Sequence, residues 1–308
     1  MMQLRRLKKK QLVESMIGFI IDTEFVWGFQ ARIVGLSKTS PSFYYPPPTT
    51  FLGAMAEVIA KENSVGEDLG RLIINELGGN LLAIGVRPIN CVPIKYEDLN
   101  RVIMIRAVGG TIKSPLPTNL QGSFDSPARG KTILASLNDD TPKIRWFLIF
   151  EDGIVDIQNE NLKSKIEEIE LTEDIFWKIH RLGSKESRVC VVNVFKIRDV
   201  KKKSGMVITN YSFPMEAIDG NSDEKIRRWG HEVYIDPFIG KIYERRHERK
   251  KIVGSGVIER YILAESLRVF KIPIMVSSQN PEYVVSLKRG WIAYCVKKGE
   301  VVIGREKI

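Results

Sequence analysis

Histidine, paired cysteine and long apolar runs are all scarce in this chain of 308 residues, and each shortage removes a class of function. The three histidines, His180, His231 and His247, form no metal-binding spacing and no acid–histidine dyad. A zinc hydrolase or a triad enzyme would lack its parts. The three cysteines, Cys91, Cys190 and Cys295, stand singly. An odd, unpaired set argues against a disulfide framework and suits a reducing, cytoplasmic setting. Cys190 and Cys295 lie in apolar runs and are expected to be small core residues. No apolar run reaches the roughly 18 residues of a membrane span. Walker loops and nucleophile elbows are missing too, so neither a metal nor a cofactor is expected.

What the chain has is positive charge. Lys and Arg number 47 against 37 acids, a formal net charge of +10. Clustered cations displace counterions from phosphates, so a polyanionic partner is expected, although solubility alone also explains such an excess. Hydrophobic residues make up 44%, which predicts a folded chain rather than a disordered one. Arg5, Arg6, Lys8, Lys9 and Lys10 lead the sequence, but Glu14 and Asp22 interrupt the stretch beyond them, a poor match to a signal peptide. Residues 1–15 read as a basic tail, and Met16 is an alternative start.

From Gly18 the pattern alternates. Phe19, Ile21, Thr23, Phe25, Trp27 and Phe29 fall on one face and Asp22 and Glu24 on the other, predicting a long half-buried strand. Phe43-Tyr44-Tyr45 and three prolines then lead into an apolar run. Proline suits a helix start and Thr49 or Thr50 can cap it, so a helix is expected over about 50–62. A second helix is expected over about 66–78, ending at Gly78-Gly79. Residues 81–106 read as strands. Residues 101–131 are rich in Gly and Pro and carry five basic residues against one acid, Asp125. An excursion of this length is usually functional or mobile. A strand at 144–150 comes next, then a helix capped near Thr172 and reaching about Arg181, then an apolar strand over 189–195. Strand signals at 257–263, 268–276, 283–287 and 291–303 close the chain. The order predicts an α+β fold with helices on one face of an antiparallel sheet.

The strand, loop and FYYPPPTTFLGAMAEVIA segment at 43–60 resembles the Cas-five family of CRISPR-associated proteins, in the RAMP superfamily. The aromatic-Pro-Pro-Pro-Thr-Thr form is most similar to the archaeal type I-A branch. Gly183-Ser184-Lys185-Glu186-Ser187 fits the glycine-containing loop of many RAMP proteins. The resemblance implies a ferredoxin-like (RRM-like) RAMP domain over 16–195, with a protruding thumb at about 101–131, and a smaller β-rich region over 196–308. It also implies a non-catalytic subunit of a type I Cascade complex. Such a subunit holds the 5′ handle of the crRNA and meets the backbone and large subunits. One branch, type I-C, cuts precursor crRNA without a metal, and type III effectors contain a similar handle-binding subunit. No histidine occurs between residues 1 and 179, so a Lys-His pair on the thumb is absent and the nuclease alternative lacks a part.

Three segments are the candidate RNA contacts. Tyr44, Tyr45, Thr49 and Thr50 can offer an aromatic stack and a helix N-terminus to phosphate; a rigid lead into the helix explains them equally well. Arg101, Arg106, Lys113, Arg129 and Lys131 give the excursion its charge. Gly183, Ser184, Lys185, Ser187 and Arg188 carry the donors and charges that bind a phosphate backbone, against the plainer reading of a helix–strand turn. A fourth segment, 225–251, holds nine basic residues against four acids with interleaved aromatics. A solvated, internally paired face is the commoner outcome for such a run.

Overall fold

The computed structural model describes residues 16–31, 41–98, 102–103, 106–108, 111–113, 124–125, 129–220, 223–224, 229–240, 261, 264–274, 281–296 and 299–306. The tail over 1–15, Arg101, all of 225–228 and 241–251, and all but Tyr261 of the strand expected over 257–263 therefore lie outside the described residues. Seven strands form the main sheet: β1 (Ile17–Phe25), β2 (Leu81–Pro88), β3 (Lys143–Phe150), β4 (Val189–Ile197), β5 (Lys201–Lys203), β6 (Trp291–Cys295) and β7 (Val301–Arg305). Their order is β4-β1-β3-β2-β7-β6-β5, and every neighbouring pair is antiparallel. The mixed helix and strand content agrees with the α+β expectation, and the strands dominate.

One face of the sheet is covered by helices. The helix α1 (Pro48–Glu62) begins at the proline cluster, with Pro48 in its first turn, where a missing N–H costs nothing. No side chain caps it; Thr50 and Phe51 donate instead to the Pro47 carbonyl. Phe51, Leu52, Met55, Val58 and Ile59 recur at helical spacing and are buried. Phe51 meets Trp146 of β3 at 4.6 Å between ring centroids. The predicted second helix is two short ones, α2 (Glu67–Gly70) and α3 (Ile73–Asn80), and α3 runs through Gly78-Gly79 instead of stopping there. The side chain of Asn80 accepts from the backbone N–H groups of Glu151 and Asp152, which fixes the helix end against the end of β3. The charged stretch at 160–170 holds α4 (Glu160–Lys163) and a short strand, and α5 (Glu173–Trp177) is shorter than the expected helix to Arg181.

The other face is covered as well, which the alternation did not indicate. Ile20, Leu82, Phe147 and Ile149 pack under Tyr211, Ile292, Tyr294 and Val302. β1 is thus buried on both faces, and Asp22 is only 2% exposed. The C-terminal strands continue the same sheet through β7 beside β2.

A buried carboxylate must be paired. Asp22 accepts two hydrogen bonds from Arg145, Nε to Oδ1 at 2.6 Å and Nη2 to Oδ2 at 2.8 Å, and a third from Asn193 at 3.0 Å. Glu300 accepts from Arg145 at 2.7 Å and from Arg87 at 2.9 Å. The row Asn193–Asp22–Arg145–Arg87 runs along the strand register across β4, β1, β3 and β2. Glu300, immediately before β7, ties the C-terminal strands to it. Arg305 adds a second tie, donating to the carbonyls of Leu81, Phe238 and Gly79. Asp22→Ala leaves the Arg145 guanidinium without its bidentate partner and is expected to cost about 3–5 kcal/mol. Urea denaturation checks this. Adding Arg145→Met should recover part of the loss, since the stranded charge is then removed.

Candidate functional site

The segment after β1 bends at Val26-Trp27 and pairs again at Gly28–Phe29. Gly28–Phe29 joins a second sheet with Cys91–Asp98 and Arg129–Ser136, in the order 28–29, 129–136, 91–98. The excursion grows from the latter two strands. Backbone pairs 102–103 with 124–125 and 106–108 with 111–113 show antiparallel ribbon within it. Arg106, Lys113 and Arg129 occupy these strands, with side chains outside the described residues. Lys131 lies at the base of the hairpin, half-buried.

Gln30 joins this hairpin to the glycine loop. Its backbone N–H donates to Ser187 Oγ at 2.8 Å, its carbonyl accepts from the Ser184 N–H at 2.9 Å, and its side-chain amide reaches the Gly130 carbonyl at 3.4 Å. Trp27 donates its indole N–H to the Glu186 carbonyl at 3.2 Å. Gly183 is required here. Its φ is +122°, and a Cβ would sit 2.8 Å from the Gln30 carbonyl oxygen. The N–H groups of Ser184, Ser187 and Arg188 are all bonded within the protein, and the Ser184 hydroxyl donates to Glu186 at 2.8 Å. Ser187 is fully buried. The loop therefore does not offer these backbone and hydroxyl donors to a ligand, contrary to the sequence expectation. It offers the exposed side chains of Lys185 and Arg188 on a backbone that is held fixed.

The tyrosines divide in the same way. Tyr45 is fully buried and its hydroxyl donates to the Pro273 carbonyl at 2.6 Å, so it anchors the Leu267–Pro273 strand instead of facing a nucleobase. Burial holds its hydroxyl protonated well above the ordinary tyrosine range. Tyr44 is half-buried, with the Lys95 ammonium 3.8 Å from its ring centroid. Its backbone N–H donates to the buried Glu232 at 2.7 Å, while Lys95 lies 3.1 Å and the Tyr234 hydroxyl 2.5 Å from the same carboxylate. The hydroxyl of Thr132 donates to the Phe43 carbonyl. The FYY motif is thus a junction of α1, the hairpin and the C-terminal strands. Thr49 and Thr50 are partly exposed in the first turn of α1, and the Thr50 N–H is already spent on Pro47. Sequence reasoning missed Gln30, Glu232 and Lys95, since a lone polar residue at a strand end or inside a strand carries no local signal.

Among the cysteines the burial is the reverse of the expectation. Cys190 is exposed and Cys295 half-buried, whereas Cys91 is buried, which pushes its thiol up to about 12. Among the described residues no cluster of three or more His, Cys, Asp or Glu could hold a metal ion, and no helix is long and apolar enough to cross a membrane.

No family profile matches the sequence. CRISPR-associated protein Cas5 2 of Saccharolobus solfataricus is 24% identical over 289 residues, covering 89% of this chain and 97% of that protein. The crystal structure of a CRISPR protein from Archaeoglobus fulgidus is 44% identical, covers 94% of this chain and 100% of its own, and superposes with a TM-score of 0.61. A chain of the type III-B Cmr-beta complex bound to cognate target RNA matches over 64% of both chains at 13% identity, with a TM-score of 0.33, too slight a likeness to bear on the fold. The chain is a CRISPR-associated RAMP protein and belongs to the Cas5 family.

Burial, partly offset by Tyr234, Lys95 and Tyr44, raises the Glu232 carboxyl above its ordinary value of 4.5. The folded state then holds the proton more tightly than the unfolded state. This group's contribution to stability is fully present below 4.5 and is lost as pH rises through the raised folded value. Glu232→Gln removes that loss. Its stability relative to the unmodified protein should therefore improve as pH rises from below 4.5 through the raised folded value, measured by urea denaturation at each pH. A pH-independent difference would mean that the carboxyl titrates normally.

Proposed function

We propose that this chain is a non-catalytic RNA-binding subunit of a type I-A CRISPR effector complex of the Cascade kind, holding the 5′ handle of the crRNA and meeting the backbone and large subunits. One observation carries the reading. Lys185 and Arg188 project from a loop whose backbone is fixed through Gln30, and the same residue reaches the base of the basic hairpin. A cationic loop beside a cationic hairpin is an arrangement that positions a phosphate backbone. The Cas5 name of the relative supports the CRISPR assignment.

The strand order β4-β1-β3-β2, with α1 between β1 and β2 and α5 between β3 and β4, supports reading 16–195 as a ferredoxin-like domain. The hairpin is its thumb, and 196–308 is the β-rich part that covers the second face. The cytoplasm is the compartment this role requires.

Lys95 beside Tyr44 favours a second reading, because a tyrosine and a lysine are groups that a metal-independent ribonuclease uses. That lysine is ion-paired with Glu232, which ties its ammonium to a structural role. The same experiment separates the two. A repeat-derived single-stranded RNA should bind the full chain, and Lys185→Ala with Arg188→Ala should weaken it and lower the salt slope by about 0.7 for each phosphate that is no longer neutralised. The melting temperature should not change, since both side chains are exposed. Cleavage of that RNA by the protein, abolished in Tyr44→Phe, would establish the ribonuclease reading instead.

A further inference from the structure

The two edges of the main sheet differ in charge. At one edge lies β4, nine residues long, whose one cation, Lys196, donates to the Leu171 carbonyl at 3.4 Å. At the other lies β5, three consecutive lysines, all exposed. Only residues 198–200 join the two in the chain. Ile197 and Val200 pack against the cluster of Ile20, Phe147 and Ile149, which anchors the connection on either side. A second segment brings more charge to β5. Lys203 lies opposite Ala293 of β6. The Leu287 N–H donates to the Gly205 carbonyl at 3.0 Å and the Trp291 N–H to the Lys288 carbonyl at 3.1 Å, so the turn at 288–290 sits beside 203–205. Lys288 and Arg289 are exposed on that turn. Lys201, Lys202, Lys203, Lys288 and Arg289 thus form one lip, and none of them has an ion pair among the described residues. Asp199, just before the lip, already has a partner. Glu306 stands at the Arg289 end, its N–H donating to the Gly290 carbonyl at 2.9 Å, and one acid leaves the lip strongly positive.

Lysines on an edge strand often serve only to block pairing with another sheet. That role does not account for this lip. β4 is the longer and more apolar edge, and it carries no comparable charge. Edge protection also gives no reason for Lys288 and Arg289, which come from a turn. We propose that the lip is a binding surface for the phosphate backbone of double-stranded DNA, a ligand separate from the RNA of the reading above. Four of the five groups are lysines, point charges that answer to phosphate density and not to base identity. A duplex carries one charge per about 1.7 Å of its axis, twice the density of a single strand. Single-strand sites add exposed aromatics for stacking. Here the neighbouring aromatic, Trp291, is half-buried, with the Arg268 guanidinium 5.2 Å from its ring centroid. An acidic protein is a poorer match, because lysine is depleted in protein interfaces. β4, roughly 26 Å long, separates the lip from Lys185 and Arg188, so the two surfaces can hold different molecules.

The test uses the full chain, short DNA duplexes of two unrelated sequences and the repeat-derived single-stranded RNA. The unmodified protein should bind both duplexes equally, with an affinity that falls steeply with salt. Lys201→Gln, Lys202→Gln and Lys203→Gln together should weaken both about ten-fold and lower the salt slope by about 0.9 for each phosphate no longer neutralised. Lys288→Gln with Arg289→Gln should act in the same direction. The melting temperature should not change, since all five side chains are exposed. RNA affinity should stay within about two-fold in these variants, and Lys185→Ala with Arg188→Ala should leave duplex binding equally intact, because distant sites act independently. Unchanged duplex affinity and slope in the triple variant would overturn the proposal; self-association of that variant would then assign the lysines to edge protection. Weakened RNA binding with duplex binding intact would put the lip on the RNA path and overturn it too. Loss of another protein subunit from the purified complex, with duplex affinity unchanged, would show a protein interface instead. Failure of the unmodified chain to bind duplex DNA would remove this inference and leave the RNA-binding reading standing.

Discussion

The bidentate pair between Arg145 and Asp22 is the constraint on which the rest of the molecule depends. It lies at the centre of the sheet, on the face away from the helices, where a carboxylate without a partner could not remain. Because Arg145 also holds Glu300, and Glu300 holds Arg87, one polar row spans four strands and reaches the C-terminal strand pair. The apolar cluster of Ile20, Phe147, Tyr211 and Tyr294 can then close over that face. With both faces buried, β1 is a fixed axis, and the segment that leaves its end is held in one place. That segment carries Trp27, Gly28 and Gln30, the residues that set the glycine loop and the hairpin beside each other.

The fold consumes part of each of these motifs and leaves the rest at the surface. In the FYY segment, Tyr45 is spent on the Pro273 carbonyl, while Tyr44 stays near the surface under Lys95. In the glycine loop, Ser184 and Ser187 are spent on Gln30, while Lys185 and Arg188 remain outside. Immobilised neighbours lower the entropy that a flexible loop would lose on binding a polyanion. The cost is that few residues of each motif are left to touch a ligand.

Local signals are enough for several elements. The alternation beginning at Gly18, the proline lead into α1 and the strand over 143–150 are all set by period and by turn chemistry that a short window contains. The excursion is legible from its glycines, prolines and charge. What stays hidden depends on distant partners. Asp22 has the spacing of a solvent-facing residue, and only the C-terminal strands, whose Glu300 lies far along the chain, make its face interior. Likewise, three adjacent aromatics do not reveal which one turns inward, because that is decided by Pro273 and Glu232. The loop at 183–188 is marked by its glycine, but the destination of its hydrogen bonds is set by Gln30, which has no motif of its own.

The central claim is that the chain holds the processed end of a guide RNA. Ultraviolet crosslinking of the protein in its native cells, with sequencing of the attached RNA and mapping of the crosslinked peptides, tests it most directly. The predicted result is guide RNAs that share one repeat-derived 5′ end, joined to peptides from the 183–188 loop and the 91–98 and 129–136 hairpin strands. RNA without a common 5′ end, or crosslinks confined to other surfaces of the protein, would contradict it.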